Sequence, residues 1–213
     1  MDNYIKNIVF VLLMTFALSA KGQTNPELAN TIDSLYQVDQ DVQWKYKELH
    51  ERNAPLDSIK AQEQLKLAAY ARHILIIKEI YEHWGYPTAA MVGEEASHHF
   101  FVLIQHADSD PGFQKQMLPI LDKLSIKKKI SRKDYAYLYD RVQRNTGGKQ
   151  RYGTQPTYGK GGTLFDEQNK IILPPDLEDP RNVDKRRMKV GLEPLEKYYE
   201  SILELLGRPR KKL

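Results

Sequence analysis

The segment Gln105-His106-Ala107-Asp108 holds residue types that could perform acid–base chemistry. His106 falls at the predicted C-terminal end of an apolar helix, and Asp108 follows two residues later. An imidazole that a carboxylate orients can take a proton from a substrate and return it, so His106 is the candidate general base or acid. Asp108, or Asp140 from a later helix, would orient the ring. The alternative is a structural turn, because Asp110-Pro111 is needed to begin the next helix.

A second polar group lies in "GGKQRYGTQPTYGKGG", residues 147–162. Six glycines in this stretch allow sharp turns or a close approach of the backbone to a ligand. The polar side chains that they frame, with two arginines from neighbouring helices, form the predicted ligand-binding set: Arg141, Gln150, Tyr152, Thr154, Gln155 and Arg186. An arginine would hold an anionic group, and the amide and hydroxyl groups would position a substrate.

The histidines between residues 94 and 108 are possible metal ligands by residue type. Their spacing does not favour a metal site. Two Glu–His pairs four residues apart each share a helix face: Glu94 with His98, and Glu95 with His99. His106 lies about 10 Å further along the helix axis than His99, so one ion could not bind both directly. The sequence has no HExxH spacing, phosphate loop, GxSxG motif or cysteine. We predict neither a metal nor a cofactor.

Three segments together resemble a known family: "QHADSDPGFQ" (105–114), "YLYDRVQRNTGGKQRYGTQ" (137–155) and "VDKRRMKVGLEPLEKY" (183–198). The chain resembles an uncharacterised bacterial family, a domain of unknown function that is common in exported proteins of Bacteroidetes. The family pattern is QHAD, then DR, then GxQxYGTQ, then an arginine-rich helix ending in GL, and all four occur here in that order. The resemblance spans roughly residues 85 to 200 and leaves out the helix predicted over 25–50. It implies a helical domain and no particular reaction.

Three hypotheses stay open for these polar residues. In the first, the protein is a hydrolase or transferase that uses His106 as its base or acid. In the second, the residues bind an unknown small molecule, an envelope component or a partner segment without catalysis. In the third, Asp140, Arg141 and Arg186 form a buried network that fastens the YGTQ segment to the helices. Residue types alone are compatible with all three, because both ligand sites and buried networks need strong hydrogen-bonding groups.

The first 22 residues have the pattern of a secretory signal peptide. Lys6 precedes an apolar run over 8–20, and Ala20-Lys21-Gly22 fits cleavage before Gln23. The run is too short to span a bilayer comfortably, and the alternative is an anchor that stays uncleaved. We therefore expect a periplasmic or secreted protein with no stable membrane insertion after cleavage.

Composition limits the class of protein and of partner. The chain has 213 residues and no cysteine, so an exported domain of this size must be stabilised by its core alone. The net charge of +4 is mild. The basic clusters are not interleaved with aromatic residues as a nucleic-acid surface would require, so we expect no nucleic-acid partner.

The spacing of apolar residues predicts a mainly α protein, a single-domain bundle of six or seven helices. The clearest helical stripe consists of Leu67, Ala71, Ile74, Ile77, Tyr81 and Trp84. Gly85 should end that helix, and the all-apolar run 100–104 should lie at the centre of the bundle. Two short apolar runs in 163–175 predict a small β-hairpin in the 150–175 region.

Local signals also predict helix starts and domain bounds. The expected N-terminal caps are Asp57, Asp110, Ser131 and Asp179. The predicted divisions are a signal peptide over 1–22, an N-terminal helical extension over 23–56, a helical domain over 57–207 and a basic tail over 208–213.

Overall fold

A computed structural model describes residues 25–207 of the chain. Within that range it contains eight α-helices: α1 Pro26–Glu51, α2 Leu56–Trp84, α3 Ala89–Val92, α4 Glu94–Gln105, α5 Pro111–Ile126, α6 Arg132–Asn145, α7 Val183–Lys189 and α8 Leu195–Leu205. Two short 3-10 helices cover Lys160–Gly162 and Pro180–Asn182. The mainly helical class is confirmed, and the four-residue α3 is the helix that the predicted count left out. The predicted signal peptide and basic tail lie outside the described residues.

Several helix ends are set by local residues as predicted. The Asp110 carboxylate accepts a hydrogen bond from the Phe113 amide at 2.9 Å and starts α5. The Ser131 hydroxyl accepts one from the Lys133 amide at 3.2 Å and starts α6. Gly85, with φ of +70°, ends α2 in a backbone conformation that costs glycine little.

Two predicted caps are wrong. α2 begins at Leu56 with Pro55 in the capping position, so Asp57 lies inside the first turn. Asp179 has a left-handed φ of +36° and precedes a 3-10 helix, and Asn182 occupies the capping position of α7. Pro55 thus takes the capping position expected of Asp57, and the 3-10 helix Pro180–Asn182 separates Asp179 from α7.

α4 lies at the centre of the main core, as its apolar sequence predicts. It packs against α1, α2, α3 and α6. Phe100, Leu103 and Ile104 are buried there, together with Ile32 from α1 and Ile77 from α2. Burial of most of residues 100–104 holds the C-terminal end of α4, where His106 follows.

The far ends of α1 and α2 extend beyond this core. Residues 40–72 contain no buried side chain, and Trp44 and Leu65 are exposed. The predicted stripe on α2 is therefore buried only in its middle, at Ile74 and Ile77, whereas Leu67 and Trp84 are exposed. A two-helix arm can bury only the faces that the helices turn toward each other.

The chain from 146 to 207 forms a second layer against α6. Its core contains Leu164, Leu177, Leu195 and Tyr199. The predicted β-hairpin is wrong, because the described residues contain no strand. The 163–175 segment makes one isolated antiparallel bridge, Phe165 with Ile171, since its side chains pack into the second layer and its apolar runs are too short for a ladder.

No helix among residues 25–207 is long and apolar enough to cross a bilayer.

Candidate functional site

His106 forms a close pair with Asp39, a residue outside the predicted site. The Nδ1 atom of His106 lies 2.9 Å and 2.8 Å from the two carboxylate oxygens of Asp39. The Asp39 side chain is only 1% exposed, whereas 20% of the His106 side chain is exposed. Gln40 donates a further hydrogen bond to Asp39 at 2.9 Å. A sealed carboxylate thus holds a ring that solvent can reach.

The backbone explains how the pair is built. Asp39 continues the buried face of α1 that begins at Leu28 and Ile32, in steps of three and four through Leu35. His106 caps the C-terminus of α4, directly after the buried Ile104 segment. A carboxylate on the core stripe of an amphipathic helix is a signal that the sequence contains, and it could have pointed to Asp39.

Two residues of α2, Tyr70 and His73, lie beside this pair. The Tyr70 ring stacks on the His106 ring at 5.2 Å between centroids, and the Tyr70 hydroxyl donates to Gln43 at 3.1 Å. Burial raises the pKa of Tyr70, and the Asp39 charge raises it further. His73 is buried with no hydrogen-bond partner for its Nδ1 among the described residues. Burial lowers the pKa of His73, although Asp39 opposes that effect.

Asp108 does not orient His106. Its carboxylate forms a two-point pair with Arg141, at 2.7 Å from Nε and 2.6 Å from Nη2. Asn145 and Gln114 donate to it at 2.9 Å and 3.3 Å. Burial raises the pKa of Asp108, but the hydrogen bonds and charge of Arg141 outweigh it and hold that pKa below its usual value. Asp108 therefore fixes Arg141 beside the His106 region.

Asp140 does not reach His106 either, because its carboxylate organises the glycine-rich loop. It accepts hydrogen bonds from the amides of Arg151 at 2.7 Å, Tyr152 at 3.1 Å and Thr154 at 2.8 Å, and from the Thr154 hydroxyl at 3.0 Å. Asp140 is fully buried. Burial raises its pKa against the opposing effect of these hydrogen bonds.

The carbonyl side of the same loop is held from α7 and α8. Arg187, which is fully buried, donates to the Tyr152 carbonyl at 2.6 Å. The Tyr199 and Tyr198 hydroxyls donate to the carbonyls of Gly153 and Thr154, at 3.3 Å and 3.1 Å. The YGTQ backbone is thus clamped on both its N–H and its C=O side.

The remaining residues of the predicted ligand set also bind the backbone of this region. The Gln150 side chain donates to the Gln155 carbonyl at 3.0 Å and accepts from the Gln155 amide at 3.0 Å. Arg186 donates to the carbonyls of Arg151, Glu178 and Asp179. These side chains satisfy polar groups inside the protein, as the third hypothesis expects.

The structure therefore divides the predicted site into two clusters. The His106 cluster contains His106, Asp39, Tyr70, Asp108 and Arg141. The loop clamp contains Asp140, Arg187 and the 150–155 backbone. α6 separates them, because its adjacent residues Asp140 and Arg141 point in different directions. Sequence reasoning missed Asp39 and Tyr70, and of the adjacent arginines 186 and 187 it assigned Arg186 rather than the buried Arg187 to the site.

His99, another histidine of α4, has a separate partner. His99 Nδ1 lies 2.7 Å from Asp33, and its ring stacks on Tyr36 at 3.7 Å. Among residues 25–207 no three His, Cys, Asp or Glu side chains are grouped so that they could hold a metal ion.

The chain matches a known family model. A family model described as a family of unknown function, DUF6624, matches residues 26–208. The matched range therefore includes α1 and Asp39. Searches of curated proteins and of solved structures found no match.

Proposed function

The chain belongs to DUF6624, a family of unknown function, and from that premise we propose that it is an acid–base enzyme, a hydrolase or transferase, whose reacting group is His106. The observation that carries the proposal is the His106–Asp39 pair, in which a sealed carboxylate holds a partly exposed imidazole. Asp39 replaces Asp108 and Asp140 as the orienting carboxylate of the first hypothesis.

The pairing assigns the roles of the two ring nitrogens. An ionised carboxylate can only accept hydrogen bonds, so Nδ1 carries the hydrogen in the neutral ring. Nε2 is then the nitrogen with a free electron pair, and it can take a proton from water or from a substrate hydroxyl. The oxygen that loses its proton attacks the substrate, and Nε2 returns the proton to the leaving group. Asp39 stabilises the imidazolium that forms between these steps.

Arg141 is proposed to bind an anionic group of the substrate. Asp108 uses its Nε and Nη2, which fixes the guanidinium plane and leaves Nη1 for another acceptor. Tyr70, which stacks on His106, would form an adjoining wall of the site. Gln150, Tyr152, Thr154, Gln155 and Arg186 are assigned to holding the loop.

We place this activity outside the cytoplasm, in the periplasm or the medium, on the pattern of residues 1–22. The expected substrate is accordingly a small molecule or an envelope component. The motif order QHAD, DR, GxQxYGTQ and RR…GL is proposed as the family's signature, and its middle part corresponds to the loop clamp.

A substrate panel tests the proposal. The purified protein is incubated with chromogenic esters, phosphate mono- and diesters, glycosides and peptide amides, with water or an alcohol as acceptor. We expect product from one class, and a fall of about 100-fold or more in His106→Gln and in Asp39→Asn. His99→Gln is the matched control, because it removes the other His–Asp pair between α1 and α4 and should leave turnover unchanged.

Two results would overturn the enzyme proposal. One is a product that His106→Gln still forms at the full rate. The other is a wild-type protein that forms no product from any class, and saturable binding without product would then support the second hypothesis.

A further inference from the structure

A cavity beside the first half of α4 is lined by charged groups that the proposed reaction does not use. It has a volume of about 300 Å³ and lies between the first half of α4, the α5–α6 connection and the first turn of α6. The lining residues that matter here are Glu94, Ser97, His98, Lys128, Lys129 and Asp134. A cavity of this size suits a small ligand of a few to about a dozen non-hydrogen atoms.

The charged side chains that line this cavity do not form ion pairs with one another. Glu94 and Asp134 are acidic, Lys128 and Lys129 are basic, and His98 lies among them. Within residues 25–207 none of these five side chains makes an ion pair or a hydrogen bond with another residue. Elsewhere in the structure acidic and basic side chains do pair, as Lys78 does with Asp110 at 3.0 Å. The cavity is therefore lined by acidic and basic side chains that are not paired with each other.

Asp134 is the least exposed of these groups. It is half-buried, and burial raises the pKa of its carboxyl to about 6. The Tyr86 hydroxyl is buried without a hydrogen-bond partner in the described part of the chain. Burial raises the pKa of Tyr86, and the Asp134 charge raises it further. A desolvated carboxylate without a donor is unfavourable, so a cationic ligand group would gain strongly by pairing with it.

Lys128 is held in an unusual backbone conformation at the cavity wall. Its φ is +55°, the left-handed region that glycine occupies at most helix ends of this kind. Lys128 lines the cavity together with Lys129, so this wall carries two ammonium groups.

From these observations we propose that the cavity binds a small zwitterion, of the size of an α-amino acid or a dipeptide. Asp134, with Glu94, receives the ligand ammonium group, and Lys128 and Lys129 receive its carboxylate. The site shares no residue with the His106 cluster, so the proposal goes beyond the proposed function and does not depend on it.

Calorimetric titration of the protein with free amino acids and with glycylglycine tests the proposal. We expect saturable binding of at least one of them, with a dissociation constant at or below about 1 mM. The same ligand with its amino group acetylated, or with its carboxylate amidated, should bind at least about tenfold more weakly, because each loses one of the two charge pairs.

Variants locate the binding in the cavity. Asp134→Asn and Lys129→Gln should each weaken it about tenfold or more, whereas Lys127→Gln, a change beside the cavity at a residue that does not line it, should leave it unchanged. His106→Gln should also leave it unchanged, which separates this site from the proposed reaction.

Absence of saturable binding by every amino acid and by glycylglycine up to about 10 mM overturns the proposal. Equal binding of the acetylated ligand also overturns it, because the acidic half of the cavity would then have no role. Binding of inorganic phosphate with no binding of any zwitterion would show a simple anion site on the lysines and would overturn it as well.

Discussion

The imidazole of His106 and the carboxylate of Asp39 lie 2.8 Å apart across a gap of 67 residues in sequence. The same two helices, α1 and α4, form a second His–Asp pair, His99 with Asp33 at 2.7 Å. The pairs differ in burial, since the Asp39 side chain is 1% exposed and the Asp33 side chain 44%. This difference makes one pair a natural control for the other.

His106→Ala should destabilise the protein by roughly 3 kcal/mol, because it leaves the buried Asp39 carboxylate without its partner. His99→Ala removes a pair whose carboxylate is 44% exposed, and should cost less than about 1 kcal/mol through the ion pair itself. Urea unfolding followed by circular dichroism measures both. Equal losses would contradict the assignment of Asp39 as a sealed carboxylate.

Asp140→Ala should be among the most damaging single substitutions, at roughly 3 kcal/mol or more, since it leaves four donors of the loop without an acceptor. Thr154→Val removes only the hydroxyl donor and should cost about 1 kcal/mol. Thermal unfolding of the two variants shows which substitution destabilises the protein more. Hydrogen exchange should show faster exchange of the Arg151, Tyr152 and Thr154 amides in Asp140→Ala, and unchanged protection there would refute the clamp.

Gly153→Ala should cost more than Gly147→Ala. Both glycines have positive φ, +67° and +76°, so both substitutions carry a backbone penalty of about 1–2 kcal/mol. A methyl group on Gly153 would also lie 3.0 Å from the Leu195 side chain, whereas one on Gly147 would meet nothing within 4 Å. The difference between the two unfolding free energies measures how tightly the loop is packed against α8.

The pH dependence of stability should carry a contribution from Asp134. Its pKa is raised from 3.8 to about 6 in the folded protein, so the folded state holds the proton more tightly than the unfolded state does. The contribution of this group to the free energy of unfolding is full below about pH 4, decreases as pH rises towards 6 and is lost above that pH. Asp134→Asn should flatten that slope between pH 4 and 6 in urea unfolding, whereas Asp57→Asn, in an exposed first turn, should not.

Much of the helical architecture was predictable because the signals are local. Asp110 and Ser131 cap helices within three residues of themselves, and Gly85 ends α2 by its own conformation. The all-apolar run of α4 predicted its central position. At Asp57 and Asp179 the same kind of reasoning failed, because Pro55 holds the capping position of α2 and a 3-10 helix separates Asp179 from α7.

Most of the helices, the polar character of the QHAD and YGTQ segments and the resemblance to a family could be predicted from the amino-acid sequence. Which of those polar residues act together depends on how the helices pack. Asp140 and Arg141 are neighbours in the chain, yet one binds the loop and the other binds Asp108, because successive residues of a helix face different surroundings. Asp39 meets His106 because packing of α1 against α4 brings distant segments together, and no local pattern specifies that approach.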